Sequence, residues 1–235
     1  MRFGMVEALR GVTLRVAPGE VLGLVGDNAA GKSTLMKVLA GTYVPDGGEI
    51  WIDGEQARYD TPREAQHLGI EMVYQDLALC DDIDVAGNIF LGREPRRMAG
   101  MVLDKRRMHA AARALLDSLR IRIPYTDLPV RNLSGGQRQS VAIARAVHFE
   151  PRLLILDEPT AALAVAEVEM VLELITRVAA RGVGVILITH RLQDLFRVCD
   201  RLCVMYEGTL AANLDARTTS LETLVQEIVG GSHAA

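Results

Sequence analysis

Eight residues constrain this chain most: Gly26-Asp27-Asn28-Ala29-Ala30-Gly31-Lys32-Ser33. They match the pattern G-x-x-x-x-G-K-[ST], in which successive backbone N–H groups curl around a phosphate and side chains at the glycines would block its approach. Lys32 is placed to reach the β- and γ-oxygens, and the Ser33 hydroxyl to ligate Mg²⁺. The loop therefore demands a strand before it and, after it, a helix whose N-terminus faces the same anion. Roughly one random chain of this length in a hundred would match by accident. The bland alternative is a glycine turn ahead of a helix. The flanks weigh against it: residues 20–25 (EVLGLV) read as a buried strand and residues 32–40 as a helix.

The same strand–helix alternation recurs near the other end. Residues 153–156 and 183–188 are short runs rich in Ile, Leu and Val, the pattern of parallel strands covered on both faces. Between them, residues 164–181 carry a one-sided stripe of Val168, Val171, Leu172, Ile175 and Val178. Strand, crossover helix, strand is the natural reading. Residues 12–16 and 49–54 instead alternate with period two beside turn residues, which predicts antiparallel strands near the N-terminus. The middle, about residues 76–150, reads as mostly helical, with an Arg-rich solvated surface at Arg93, Arg96, Arg97, Lys105, Arg106 and Arg107. The last residues, 230–235, are expected to fray.

Composition narrows the function classes. With 235 residues the chain can bury a large core without disulfides or metal. A net charge of −4 and 4% aromatic residues argue against a sequence-independent nucleic-acid binder or a base-stacking platform. Cys80, Cys199 and Cys203 form no CxxC pair and read as reduced thiols of a cytosolic protein. The longest apolar run, residues 182–188, is far short of the ~20 residues of a membrane span, and no signal peptide is expected. His67, His109, His148 and His233 have no motif context, and Asp81, Asp82 and Asp84 read as a solvated loop rather than a Ca²⁺ site.

Two further motifs carry chemistry. Residues 152–158 (RLLILDE) form an apolar strand ending in two acids. Beside a phosphate loop, Asp157 can hold Mg²⁺ through water and Glu158 can polarise an attacking water. Leu133-Ser134-Gly135-Gly136-Gln137 reads locally as a helix N-cap, Ser134 preceding the helical run 137–147, or as a second anion-binding helix start.

Taken together these motifs resemble the nucleotide-binding subunit of an ATP-binding cassette transporter. GDNAAGKST resembles the Walker A motif, LSGGQ the family signature and LLILDE the Walker B motif with its catalytic glutamate; Gln75 matches the Q-loop and His190 the switch histidine. The motifs follow the family's order from Gly26 to His190. Wording at residues 25–33, 74–77 and 88–94 resembles bacterial ribose, xylose and fructose importers.

The resemblance implies an α/β P-loop NTPase with a RecA-like parallel-sheet core, an N-terminal antiparallel β-subdomain and an inserted α-helical subdomain. One cassette would span 1–235: core and β-subdomain at about 1–75 and 150–210, the helical subdomain at 76–149, a C-terminal helical tail at 211–235. It implies ATP and Mg²⁺ held in cis by Gly26, Asp27, Asn28, Ala29, Ala30, Gly31, Lys32, Ser33 and Thr34. Gln75 and Asp157 would complete the metal shell with Ser33. Glu158 would be the general base or water orienter, and His190 would contact the γ-phosphate. Ser134, Gly135, Gly136 and Gln137 would face the other subunit's nucleotide in a head-to-tail dimer, and Phe3 would stack on adenine. Further implied are integral membrane permease subunits, a periplasmic solute-binding protein and no nucleic acid. The cassette would sit at the cytoplasmic face of the inner membrane.

Two positions depart from the family. Ala164 stands where the D-loop usually carries aspartate, which implies altered communication between the two ATP sites. The family also places a strand before the stacking aromatic, whereas this chain opens two residues ahead of Phe3. Either that strand is absent or the start lies upstream. Two other functions stay in view. A translation or DNA-repair cassette normally carries two cassettes or a long coiled-coil insertion. A non-hydrolytic nucleotide sensor would have no use for Glu158. Neither the solute nor the direction of transport is encoded in these residues.

Overall fold

The computed structural model describes residues 1–97 and 101–230. The chain opens on a hairpin of β1 (Arg2–Phe3) and β2 (Val6–Glu7). β3 (Val21–Gly26) runs through the phosphate loop into α1 (Lys32–Leu39). A second hairpin, β4 (Ile50–Ile52) with β5 (Glu55–Ala57), precedes α2 (Pro62–His67) and β6 (Ile70–Val73). α2 starts at a reciprocal cap: the Thr61 hydroxyl accepts from the Glu64 N–H, and the Glu64 carboxylate accepts from the Thr61 N–H. There follow α3 (Val85–Phe90), a hairpin of β7 (Arg96–Arg97) and β8 (Val102–Leu103), α4 (Lys105–Ser118) and α5 (Gly135–Val147). The chain then returns through β9 (Leu153–Asp157), α6 (Val165–Ala179), β10 (Gly184–Ile188) and α7 (Leu192–Val198). It closes with β11 (Arg201–Tyr206), β12 (Thr209–Asp215) and α8 (Leu221–Gly230).

Six strands form one sheet in the order β12-β11-β3-β10-β9-β6, parallel throughout except for β12 at the edge. Its central strands are apolar on both faces because each face has its own core. Leu22, Leu24, Ile155, Ile186 and Ile188 pack with Met36 and Leu35 of α1. Their alternates Val21, Val25, Leu154, Leu156, Val185 and Leu187 pack with the helices of the opposite face, including Val168, Leu172 and Ile175 of α6. Each fully buried Leu or Ile contributes about 1.5–3 kcal/mol.

The strand–helix–strand unit 153–188 and the strand ahead of the loop form as the sequence predicts. Residues 12–16 do not form a strand. Val12, Leu14 and Val16 are partly buried against the α1-side core while Thr13 and Arg15 are exposed. The alternation is a real burial pattern, but among the described residues no strand pairs with this segment. The N-terminal antiparallel structure is accordingly two separate hairpins. Residues 211–215, placed by the sequence in a helical tail, belong to β12, because an antiparallel turn at Glu207 and Gly208 folds them back on β11.

Of the Arg-rich segment, Arg96, Arg97, Lys105, Arg106 and Arg107 are exposed. Arg93 is exposed as well, yet it stacks 4.0 Å over the Phe149 ring and lies 3.6 Å from the buried Glu71 carboxylate. Cys80 is exposed, and Cys199 and Cys203 are buried and free. His233 and the expected fraying beyond residue 230 lie outside the described residues. No described helix is long and apolar enough to cross a membrane.

Candidate functional site

β3, β10 and β9 are adjacent and parallel, with Ile188 paired to Leu24 on one side and to Asp157 on the other. Their carboxyl ends therefore open side by side, the usual place for ligands in an open α/β sheet. Three loops share that end: residues 27–31, 158–160 and 189–191.

The first is shaped by close approaches. A Cβ on Gly26 (φ 145°) would come within 2.2 Å of the Met205 carbonyl oxygen, and one on Gly31 (φ 99°) within 2.6 Å of the Ala8 carbonyl oxygen. β11 and the N-terminal segment thus leave room only for glycine. Ala29 also holds a left-handed conformation (φ 73°), which costs about 1–2 kcal/mol for a non-glycine residue. Lys32 Nζ donates back to the Gly26 and Asp27 carbonyls at 2.6 and 2.9 Å, bracing the loop. Burial pushes the Lys32 ammonium below its ordinary value, opposed by Asp27, Glu158 and Asp157. Gly31 gives α1 no side-chain cap, and the first turn has no acidic residue. Its amides and dipole are left for an anion. Ser33 and Thr34 lie in that turn, Ser33 exposed.

The acid pair faces this turn. Burial raises the Asp157 pKa, the Glu158 charge adds to the rise, and Lys32 and Lys37 oppose it. A cation at Asp157 would reverse that balance. Glu158 is left-handed (φ 52°) and its N–H donates to the Ile188 carbonyl at 2.8 Å. Its Oε1 accepts from the His190 N–H at 3.0 Å, and His190 Nδ1 lies 2.9 Å from Oε2. That second approach lacks hydrogen-bond alignment, so Oε2 is a buried acceptor without an aligned donor. A water-polarising carboxylate needs such a free oxygen.

Behind the pair lies a buried link the sequence did not reveal. The Thr160 hydroxyl donates to Asp194 Oδ2 at 2.8 Å, and Arg191 Nε lies 3.3 Å from the same oxygen. The segment after Glu158 is thereby tied to the segment after His190. An acid four residues past a histidine was the available signal, and it is too common to single out.

Gln75 is exposed two residues beyond β6, the outer neighbour of β9, so it emerges at the same end of the sheet. From α5, Arg145 holds the stretch that follows it, donating to the Leu77 and Ala78 carbonyls at 2.6 and 2.8 Å. Phe3 sits at the first hairpin, half exposed, its ring edge-on to Tyr43 at 5.2 Å. The hairpin leads to Ala8, whose carbonyl borders Gly31, so Phe3 lies on the loop's side of the molecule.

The signature turn is a cap, as its sequence implies. The Ser134 hydroxyl accepts from the Gln137 N–H at 3.3 Å, and Gln137 Oε1 accepts from the Ser134 N–H at 3.0 Å. Gly135 is exposed and Gly136 buried. Their close neighbours are Leu163, just ahead of α6, and Glu167 and Met170 within it.

The family described as ABC transporter matches residues 9–161. The chain is 44% identical over 224 residues to the xylose/arabinose import ATP-binding protein XylG of Sulfolobus acidocaldarius, covering 95% of this chain and 88% of that protein. It is 42% identical to a putative ribose/galactose/methyl galactoside import ATP-binding protein of Burkholderia ambifaria, covering 97% of this chain and 44% of that protein. The chain thus spans less than half the length of that relative. A solved ATP-binding cassette of an ABC transporter superposes with a TM-score of 0.84 at 26% identity, over 98% of this chain and 94% of that one. A nucleotide-free cassette gives 0.77 at 24% identity over 97% and 92%, a likeness of fold. With more than half of its residues matching the family, this chain belongs to the ABC transporters, as an ATP-binding cassette.

Proposed function

We propose that this chain binds and hydrolyses ATP to drive uptake of a small solute, a monosaccharide, through a separate membrane permease. The observation that carries the reading is the convergence of the glycine-shaped loop, Asp157-Glu158 and His190 on one end of one sheet. The sugar assignment follows the xylose/arabinose and ribose/galactose import relatives. A translation or repair cassette is not favoured beside these relatives, and a sensor without turnover leaves Glu158 without work.

In this reading residues 26–34 enclose the phosphates, with Lys32 on the β- and γ-oxygens. Ser33, Gln75 and Asp157 are the Mg²⁺ ligands, and their hydroxyl, amide and carboxylate oxygens suit that hard cation. Mg²⁺, when bound, neutralises charge developing on the phosphates. Glu158 orients and deprotonates water through Oε2, held in place by its bond to the His190 N–H. His190 presents its exposed ring to the γ-phosphate, and Phe3 stacks on adenine. Two copies pair head to tail, so that Ser134, Gly135, Gly136 and Gln137 of one receive the nucleotide of the other. The subunit works at the cytoplasmic face of the inner membrane with permease subunits and, through them, a periplasmic solute-binding protein. No nucleic acid takes part.

The test is ATP turnover with Mg²⁺ by the purified chain, then with its co-purifying permease in sealed vesicles. Turnover stimulated by sugar and binding protein, with sugar accumulating inside, is the expected result. Binding without turnover would favour the sensor.

A further inference from the structure

Glu167 lies in the first turn of α6, away from the acid pair, yet it reaches the signature turn. Its Oε1 accepts from the Gly136 N–H at 3.1 Å and its Oε2 from the Ala164 N–H at 3.2 Å. The Ser134 hydroxyl, the Gly136 N–H and the Ala164 N–H hold its carboxyl below the ordinary range. The approach is tight: a Cβ on Gly136 would come within 2.8 Å of Glu167 Cβ and 3.1 Å of Met170 Cε. A carboxylate thus occupies the start of α5, where free amides and the helix dipole favour an anion. The donor it takes at that turn, the Gly136 N–H, is among those assigned above to the partner's nucleotide. Each N–H has one proton to give, and two anions a few ångströms apart repel.

We propose that Glu167 is a positioning residue that keeps the signature turn self-occupied in the single subunit, and that it must release the Gly136 N–H before the partner subunit's ATP can dock there. Its release shifts the start of α6 and with it Ala164, whose N–H it also holds. Glu167 has this role only if the signature turn receives the partner's nucleotide, the reading given under Proposed function. ATP-driven pairing then works against an internal competitor, and the apparent affinity falls by the fraction of turns left open.

The experiment uses the whole chain carrying Glu158→Gln to stop turnover, with dimer formation followed by sedimentation as Mg·ATP is titrated. Glu167→Gln keeps the shape and removes the charge. The midpoint is expected at about fivefold lower ATP, since the internal competitor is weakened. Glu167→Asp is too short to span both amides and should move the midpoint the same way; it decides alone if Glu167→Gln does not fold. Gly135→Asp places a fixed anion at the exposed glycine and should block pairing. If Gly135→Asp pairs normally, the signature turn does not receive the partner's nucleotide, and the proposal falls with that reading. If Gly135→Asp blocks pairing while both Glu167 variants leave the midpoint unchanged or raise it, Glu167 is a structural tie and the proposal alone is overturned. A structural tie would lower the melting temperature without lowering the midpoint.

Discussion

His190 holds Glu158 from one side and faces it from another: its N–H donates to Oε1 at 3.0 Å and its Nδ1 stands 2.9 Å from Oε2. The link joins the carboxyl ends of β9 and β10, so the geometry of Glu158 depends on the register of two neighbouring strands. It also leaves Oε2 as the oxygen that can accept from water. Glu158→Gln keeps the shape and the bond to His190 while removing the basicity. ATP turnover should fall about 100-fold or more while nucleotide affinity is retained, as measured by single-turnover kinetics and equilibrium binding.

Asp194 is buried and joins Thr160 to Arg191, and so joins the two segments that carry Glu158 and His190. Asp194→Ala strands the Thr160 hydroxyl and should cost about 1–3 kcal/mol in chemical denaturation. Turnover should drop with little change in KM for ATP, because the loop at residues 26–33 is untouched. A rise in KM at constant kcat would contradict this account of the link.

Gly31 combines a positive φ with the Ala8 carbonyl 2.6 Å from any added Cβ. In Gly31→Ala the N-terminal segment must move away or the helix start must tilt. Nucleotide binding should be lost in a chain that still unfolds cooperatively, with about 1–3 kcal/mol of strain added. Calorimetric titration and thermal melts read the two effects separately.

Ala164 is the N-cap of α6 and has no side-chain acceptor, although Glu167 already returns a bond to the Ala164 N–H. Ala164→Ser completes the reciprocal cap. It should stabilise the chain by about 1 kcal/mol, read as a rise in melting temperature of about 2–4 °C. An unchanged or lower melting temperature would show that the α6 start is held chiefly by its contact with the signature turn.

Glu71 is buried, and burial raises its pKa against the opposing pull of Arg93, Gln66 and Arg145. A carboxyl with a raised folded pKa binds more protons in the folded state. Its contribution to stability is therefore present at acid pH and is lost as pH rises through the folded pKa. Glu71→Gln removes that dependence. Relative to wild type, the variant's melting temperature should improve as pH rises from the ordinary glutamate range through the raised folded pKa. A flat difference across that range would place the raised pKa elsewhere.

Much of the site is local and could be read along the chain. The loop at residues 26–33, the acids ending β9 and the cap at Ser134 each depend on residues within a few positions, and their backbone requirements leave few alternatives. The alternating burial of residues 12–16 was legible too, but pairing was not, since a ladder needs a second strand that only the fold can bring. Arg93 resembled its solvated neighbours in sequence. It differs because Phe149 and Glu71 lie beneath it, and nothing near it in the chain announces them.

By itself, then, the sequence determined the glycine loop at residues 26–33, the paired acids at the end of β9 and which strands are covered on both faces. Short-range patterns of glycine, charge and apolar spacing set those features. Tertiary structure alone decided that His190 anchors Glu158, that Asp194 ties Thr160 to Arg191, and that Glu167 holds the Gly136 amide. Each joins residues about 30 positions apart, the separations being 32, 34 and 31. The physical reason is that a hydrogen bond has a reach of about 3 Å. Such distant residues meet only when strand register and helix packing bring them together.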